Sequence, residues 1–153
     1  MAEIDLVTSH VPWAPLPRLL DWSAIGDGSA YLAHAGRATP REVVWSSPER
    51  VQTAYGRSVA YSLDSVVSFL RATHDDDLVV LVLGDHQPVS IVSGEHAGHD
   101  VPVSIVARDP AVLARISSWG WQDGLRPGPA APVWPMDRFR DRFLTAYGPT
   151  AGG

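Results

Sequence analysis

Residues 78–88 read LVVLVLGDHQP. Leu78 to Leu83 form an unbroken apolar run, and three of those residues are valines, whose branched Cβ suits a pleated strand. A short continuous run ended by a glycine predicts a strand covered on both faces, because a strand with one wet face would alternate. Beyond Gly84 the chain presents a carboxylate and an imidazole side by side, Asp85 and His86, before Pro88 closes the turn. Ligand sites in open α/β sheets lie at the carboxyl ends of strands, which is where this run puts Asp85 and His86.

The flanking segments set that strand in a layered fold. Ahead of it, from about Ser47 to Ala72, Tyr55, Val59, Ser62, Leu63, Val66, Val67 and Leu70 recur at helical spacing and predict one long amphipathic helix. HDDD at 74–77 ends that helix as a solvated turn. After the strand, VPVSIVA at 101–107 predicts another strand. Asp109 then reads as an N-cap with Pro110 at the first helical position, opening a helix to about Ser117. A Pro/Gly-rich loop spans 123–135, and a last helix runs from about Pro135 to Tyr147 with Met136, Phe139, Phe143 and Leu144 on one face. Toward the N-terminus, Ile4–Thr8 and VVW at 43–45 read as short strands. Residues 11–30, with Trp13, Trp22 and three prolines, read as a long ordered loop. The expected fold class is therefore α/β, a layered sheet with helices on its faces, in a single domain over 1–148 with a disordered tail at 149–153.

Composition narrows the function. A chain of 153 residues can bury roughly 70% of its unfolded surface, enough for a real core. It carries twelve arginines, no lysine and a net charge of −5, which disfavours nucleic acid or an anionic membrane as partner. With no cysteine, disulfides, thiolate metal ligands and cysteine nucleophiles are excluded. The longest apolar run falls far short of the ~20 residues a membrane helix needs, and the start lacks the basic-then-apolar pattern of a secretion signal. A chain that opens directly on an apparent core strand leads us to expect natural sequence ahead of Met1.

Three pieces carry possible chemistry: Asp5 with His10 in DLVTSH, Asp85 with His86 in GDHQP, and His96 in EHAGHDVPV, five residues ahead of Val101. Carboxylate oxygen and imidazole nitrogen are the ligand set for zinc, manganese and related divalent ions. In this order and spacing the pieces resemble the C-terminal metal-binding half of the alkaline phosphatase superfamily, over roughly residues 1–120. They are most similar to sulfatase-like domains of actinobacterial membrane proteins. The family pattern has an Asp–His pair separated by three or four residues. Later comes a strand ending in Asp-His, then a histidine ahead of a Val-Pro, here Val101-Pro102.

The resemblance implies an alkaline-phosphatase-like fold, present in part. It also implies that Asp5, His10 and His96 share one metal while Asp85 and His86 help hold a second. Zinc or manganese comes first as the metal, with calcium or magnesium as alternatives. The implied substrate is a phosphate or sulfate ester, clamped between two cations. A bound imidazole must be neutral, so metal affinity is expected to fall below about pH 6. Two departures stand out. Gln87 replaces the usual glycine after Asp-His. The family's nucleophile and first metal aspartate precede the Asp–His pair, whereas four residues precede Asp5 here. Thr8 and Ser9 lie beside His10 but not at the nucleophile position, and water activated by a divalent ion is the better substitute. The attacking group is expected from a missing N-terminal half, and the parent protein would present this domain outside a bacterial membrane.

Each residue also has a plain reading. Asp85 can cap a turn with His86 exposed beside it, and His10 and His96 can be loop histidines. His99 has no counterpart in the family pattern, and His34 and His74 read as surface residues. GDG at 26–28 is no phosphate loop, because no Lys-bearing helix start follows. Trp119 and Trp121 read as packing residues rather than a sugar platform. The alternatives to an ester hydrolase are a silent remnant that binds a metal, a partner protein or a second copy of itself, and an α/β domain with no metal.

Overall fold

A computed structural model describes residues 1–13, 16–32 and 39–149. They form two compact units, one of Met1–His74 with Pro88–Ala97, the other of Asp75–Gln87 with the chain from Gly98 onward. The architecture mixes helix with one two-stranded antiparallel sheet. Among the described residues, no helix is long and apolar enough to cross a membrane.

The first unit is built on a long helix. Short helices α1 (Trp22–Ile25) and α2 (Arg41–Val44) precede α3 (Pro48–Ala72). Ser47 caps α3 by accepting from the Arg50 backbone N–H, and Pro48 occupies the first turn, where its missing N–H costs nothing. The face of α3 that closes on the unit carries Val51 and Ser58, both fully buried, whereas Leu63 and Val67 of the expected stripe stay 36% and 38% exposed. Trp13 sits over this face. Its ring stacks on Trp45 at 5.7 Å and meets Tyr55 edge-on at 5.5 Å. The four-residue helix α4 (Ser90–Ser93) completes the unit, with the Gln52 side-chain amide donating to the Ile91 carbonyl at 3.0 Å.

The second unit holds the sheet. β1 (Val79–Leu83) pairs antiparallel with β2 (Val103–Ala107), Leu81 opposite Ile105. α5 (Pro110–Ala114) follows, with Asp109 Oδ1 accepting from the Ala111 N–H at 2.8 Å. A 3₁₀ turn at Ser117–Trp119 leads through the Pro/Gly-rich loop to α6 (Met136–Tyr147). The core is Ile116, Trp119 and Phe139, packed by Leu81, Ile105, Trp121, Trp134 and Phe143. Trp119 and Trp121 are thus packing residues. The packed face of α6 is Phe139, Phe143, Ala146 and Tyr147, while Met136 and Leu144, expected on it, are 45% and 60% exposed.

Three expectations are corrected. Ile4–Thr8 is no strand: the backbone is irregular up to a 3₁₀ turn at Val7–Ser9, and Ile4 and Val7 are 72% and 74% exposed. Among the described residues, the apolar alternation there meets no partner strand. VVW at 43–45 is the end of α2 and its C-cap, where the Trp45 N–H donates to the Arg41 carbonyl at 2.8 Å. The long loop at 11–30 contains α1 and a 3₁₀ turn at Ser29–Tyr31. β1 is also less covered than its apolar run suggests, since Val79 and Leu83 are 39% and 45% exposed. His74 is exposed as expected; His34 and the tail beyond Pro149 lie outside the described residues.

The Tyr147 hydroxyl donates to the Val112 carbonyl at 2.9 Å and ties α6 to α5. Burial pushes its pKa above the usual phenol value, opposed by nearby Arg115. A raised folded-state pKa means its contribution is fully present below the unfolded phenol value near ~10 and is lost as pH rises through the folded value. Tyr147→Phe should cost about 1 kcal/mol at neutral pH and flatten the alkaline fall in stability. Urea unfolding followed across pH reads both effects, and an unchanged alkaline limb would contradict this assignment.

Candidate metal-ligand residues

β1 delivers Asp85 and His86 to its carboxyl end, as its sequence predicts. The turn is held at its base. The Gly84 N–H donates to the Pro102 carbonyl at 3.3 Å, and the Gln87 side-chain amide donates to the Asp100 carbonyl. A Cβ on Gly84 would lie 3.4 Å from the Val101 Cβ, an ordinary van der Waals contact between the two strand ends. Gln87, the departure from the family's glycine, therefore closes the turn.

Asp85 Oδ1 accepts from the His86 backbone N–H at 2.9 Å, an arrangement that fixes the carboxylate. The His86 ring lies between two acceptors. Its Nδ1 is 2.8 Å from the Gln87 carbonyl and its Nε2 is 3.3 Å from Asp85 Oδ2. Contact with the carbonyl requires the proton on Nδ1, so in the neutral ring Nε2 carries the lone pair. Both Nε2 and the carboxylate oxygen can then offer a lone pair to a cation. Both side chains are open to solvent, 70% and 87% exposed.

His10 repeats half of this pattern. Its Nδ1 lies 3.0 Å from the Val11 carbonyl, which again leaves Nε2 as the free donor atom. The ring lines a hollow of about 450 Å³ with Thr8, Val11, Trp13 and Leu16. Because no strand precedes it, the 3₁₀ turn at Val7–Ser9 positions His10, through a 3.0 Å bond from its N–H to the Val7 carbonyl. Asp5 is exposed on the irregular backbone before that turn, and the argument that an aspartate in a strand needs a partner does not apply to it. His96 is exposed in the turn after α4.

Asp5, His10 and His96 thus belong to the first unit, Asp85 and His86 to the second. Within either unit, among the described residues, no group of three or more histidine, aspartate or glutamate side chains gathers. The structure brings Asp85 and His86 together and does not bring Asp5, His10 and His96 into one cluster. No protein-family model matches the chain, and no curated protein or solved structure matches it.

Proposed function

We propose that the chain is the metal-binding portion of a divalent-metal-dependent hydrolase or transferase acting on phosphate or sulfate esters. The reading rests on the resemblance of the Asp5–His10, Asp85–His86 and His96 pieces to the alkaline phosphatase superfamily. The observation that supports it is the His86 ring, whose Nδ1 faces a backbone carbonyl while Nε2 sits 3.3 Å from a carboxylate oxygen. Backbone acceptors at the second ring nitrogen are the usual means of fixing a metal-ligating imidazole. The donor chemistry of Asp85 and His86 fits zinc or manganese, as two ligands of a set that structural and catalytic sites complete with one or two more.

In this reading Asp85 and His86 hold a cation, while Asp5, His10 and His96, which the first unit does not gather, are assigned to another by the resemblance alone. When bound, such cations polarise the ester oxygens and neutralise developing charge. The chain's own contributions are positional. The Asp85 carboxylate is fixed by the His86 N–H, and Gln87 serves twice, its carbonyl orienting the imidazole and its side-chain amide closing the turn. A second reading is a catalytically silent remnant that binds metal without turning a substrate over.

Calorimetric titration with zinc and with manganese near neutral pH tests the reading. His86→Ala should weaken the tightest site by about tenfold or more, since deleting a ligand costs at least as much as disturbing its orienting partner. Unchanged binding in His86→Ala would sink it. Turnover of nitrophenyl phosphate or nitrophenyl sulfate in the presence of that metal separates the enzyme from the remnant.

A further inference from the structure

The polar face of α6 opens on a groove of about 890 Å³ within the second unit. Arg138, Asp141 and Arg142 lie on one side at helical spacing, Arg115 faces them from the end of α5, and Trp119 and Trp134 form part of the wall. The cationic groups outnumber the acid, and the acid is already engaged. Asp141 Oδ1 accepts from Arg140 at both Nε, 3.0 Å, and Nη2, 2.8 Å. Arg142 lies over the Trp134 ring with its guanidinium carbon 4.3 Å from the centroid, which orients the group and leaves its N–H donors in the plane free to reach outward. Arg115 spends one N–H on the Ala146 carbonyl at 3.1 Å and is held in place by it. Arg138 has no acidic partner among the described residues. A chain of net charge −5 has thus concentrated three guanidinium groups around one aromatic-walled groove.

We propose that this groove binds a small organic anion, an oxyanion head on an apolar body. Guanidinium forks match the paired oxygens of phosphate, sulfate and carboxylate, and the exposed Pro135 beside the half-buried Trp134 offers an apolar body a surface. Arg138 and Arg142, one helical turn apart, hold the head, while Arg115, reaching α6 from the end of α5, adds charge. The assignment is independent of the metal reading, since it uses none of the five candidate ligands.

The test is calorimetric titration of the full chain with phenyl phosphate, phenyl sulfate and benzoate, with a chelator present throughout so that no metal contributes. The expected result is saturable one-to-one binding of at least one of the three acids and none of phenol. Arg138→Gln and Arg142→Gln should each weaken it about tenfold. Arg126→Gln removes the same charge from an exposed position outside the groove and should leave affinity unchanged. All three replaced side chains are exposed, and circular dichroism checks that each variant folds. Absence of saturable binding by every acid would overturn the proposal. So would equal weakening by Arg126→Gln, which would reduce the effect to net charge.

Discussion

Replacing Trp119 with alanine should destabilise the protein by about 3–5 kcal/mol, the range for emptying a buried indole site. Trp119 is 8% exposed and sits at the centre of the second unit's aromatic cluster. Its ring meets Trp121 at 5.3 Å, Trp134 at 5.4 Å and Phe139 at 6.2 Å, all edge-on. Edge-to-face geometry adds to area burial, so removal forfeits several such pairs as well as transfer energy. Trp121 and Phe139 also stack on one another at 6.0 Å and cannot both close over the gap without breaking that pair. Against a total domain stability of ~5–15 kcal/mol, the loss brings the chain near the unfolding threshold. Urea unfolding followed by far-ultraviolet circular dichroism measures it. A loss below about 1 kcal/mol would mean that the indole is not the centre of this core.

Trp13 gives a second large effect with an unusual ranking of variants. It is 4% exposed, its indole N–H donates to the Ser9 carbonyl at 2.6 Å, and its own carbonyl accepts from the buried Ser58 hydroxyl at 3.3 Å. Its backbone has φ 61°, a left-handed conformation that costs a residue with a Cβ roughly 1–2 kcal/mol. Trp13→Ala should lose about 3–5 kcal/mol, because it empties the site and retains the strain. Trp13→Gly removes the same ring and also the strain. At an ordinary position glycine is worse than alanine by about 0.5–1 kcal/mol, but here it should be at least as stable. The comparison by urea unfolding needs both variants. Glycine falling about 1 kcal/mol below alanine would contradict the left-handed backbone.

Much of the fold was legible where local chemistry and burial agree. The helical spacing from Tyr55 to Leu70 announced α3, and Asp109-Pro110 announced α5, because cap and proline act within one turn of the chain. The run at 78–83 announced β1, and VPVSIVA announced β2. Where short apolar stretches carried no such punctuation, the reading failed. Ile4–Thr8 and 43–45 look like strands by composition, yet a strand exists through its partner, and a five-residue window says nothing about partners. The antiparallel pairing was equally hidden. A parallel crossover usually carries a full helix, and the connection from Leu83 to Val103 holds the four-residue α4.

The site divides in the same way. Asp85 and His86 were legible because a strand end and a glycine place them, and the local turn does the rest. Their Nδ1 contact was not, because it depends on the Gln87 carbonyl direction. His10 follows a 3₁₀ turn rather than the strand expected ahead of it. The arginines of α6 were not singled out. Their signal was present in DRFRDR, where Arg138 and Arg142 stand four apart, but the facing Arg115 and the Trp134 ring are brought there by tertiary packing.

The most direct measurement is a zinc titration followed by nitrogen NMR of the histidine side chains at neutral pH. The account predicts that Nε2 of His86, His10 and His96 shift together and saturate at stoichiometric metal, while His74 and His99 stay in place. Shifts confined to His74 and His99, or none at any ring, would contradict it.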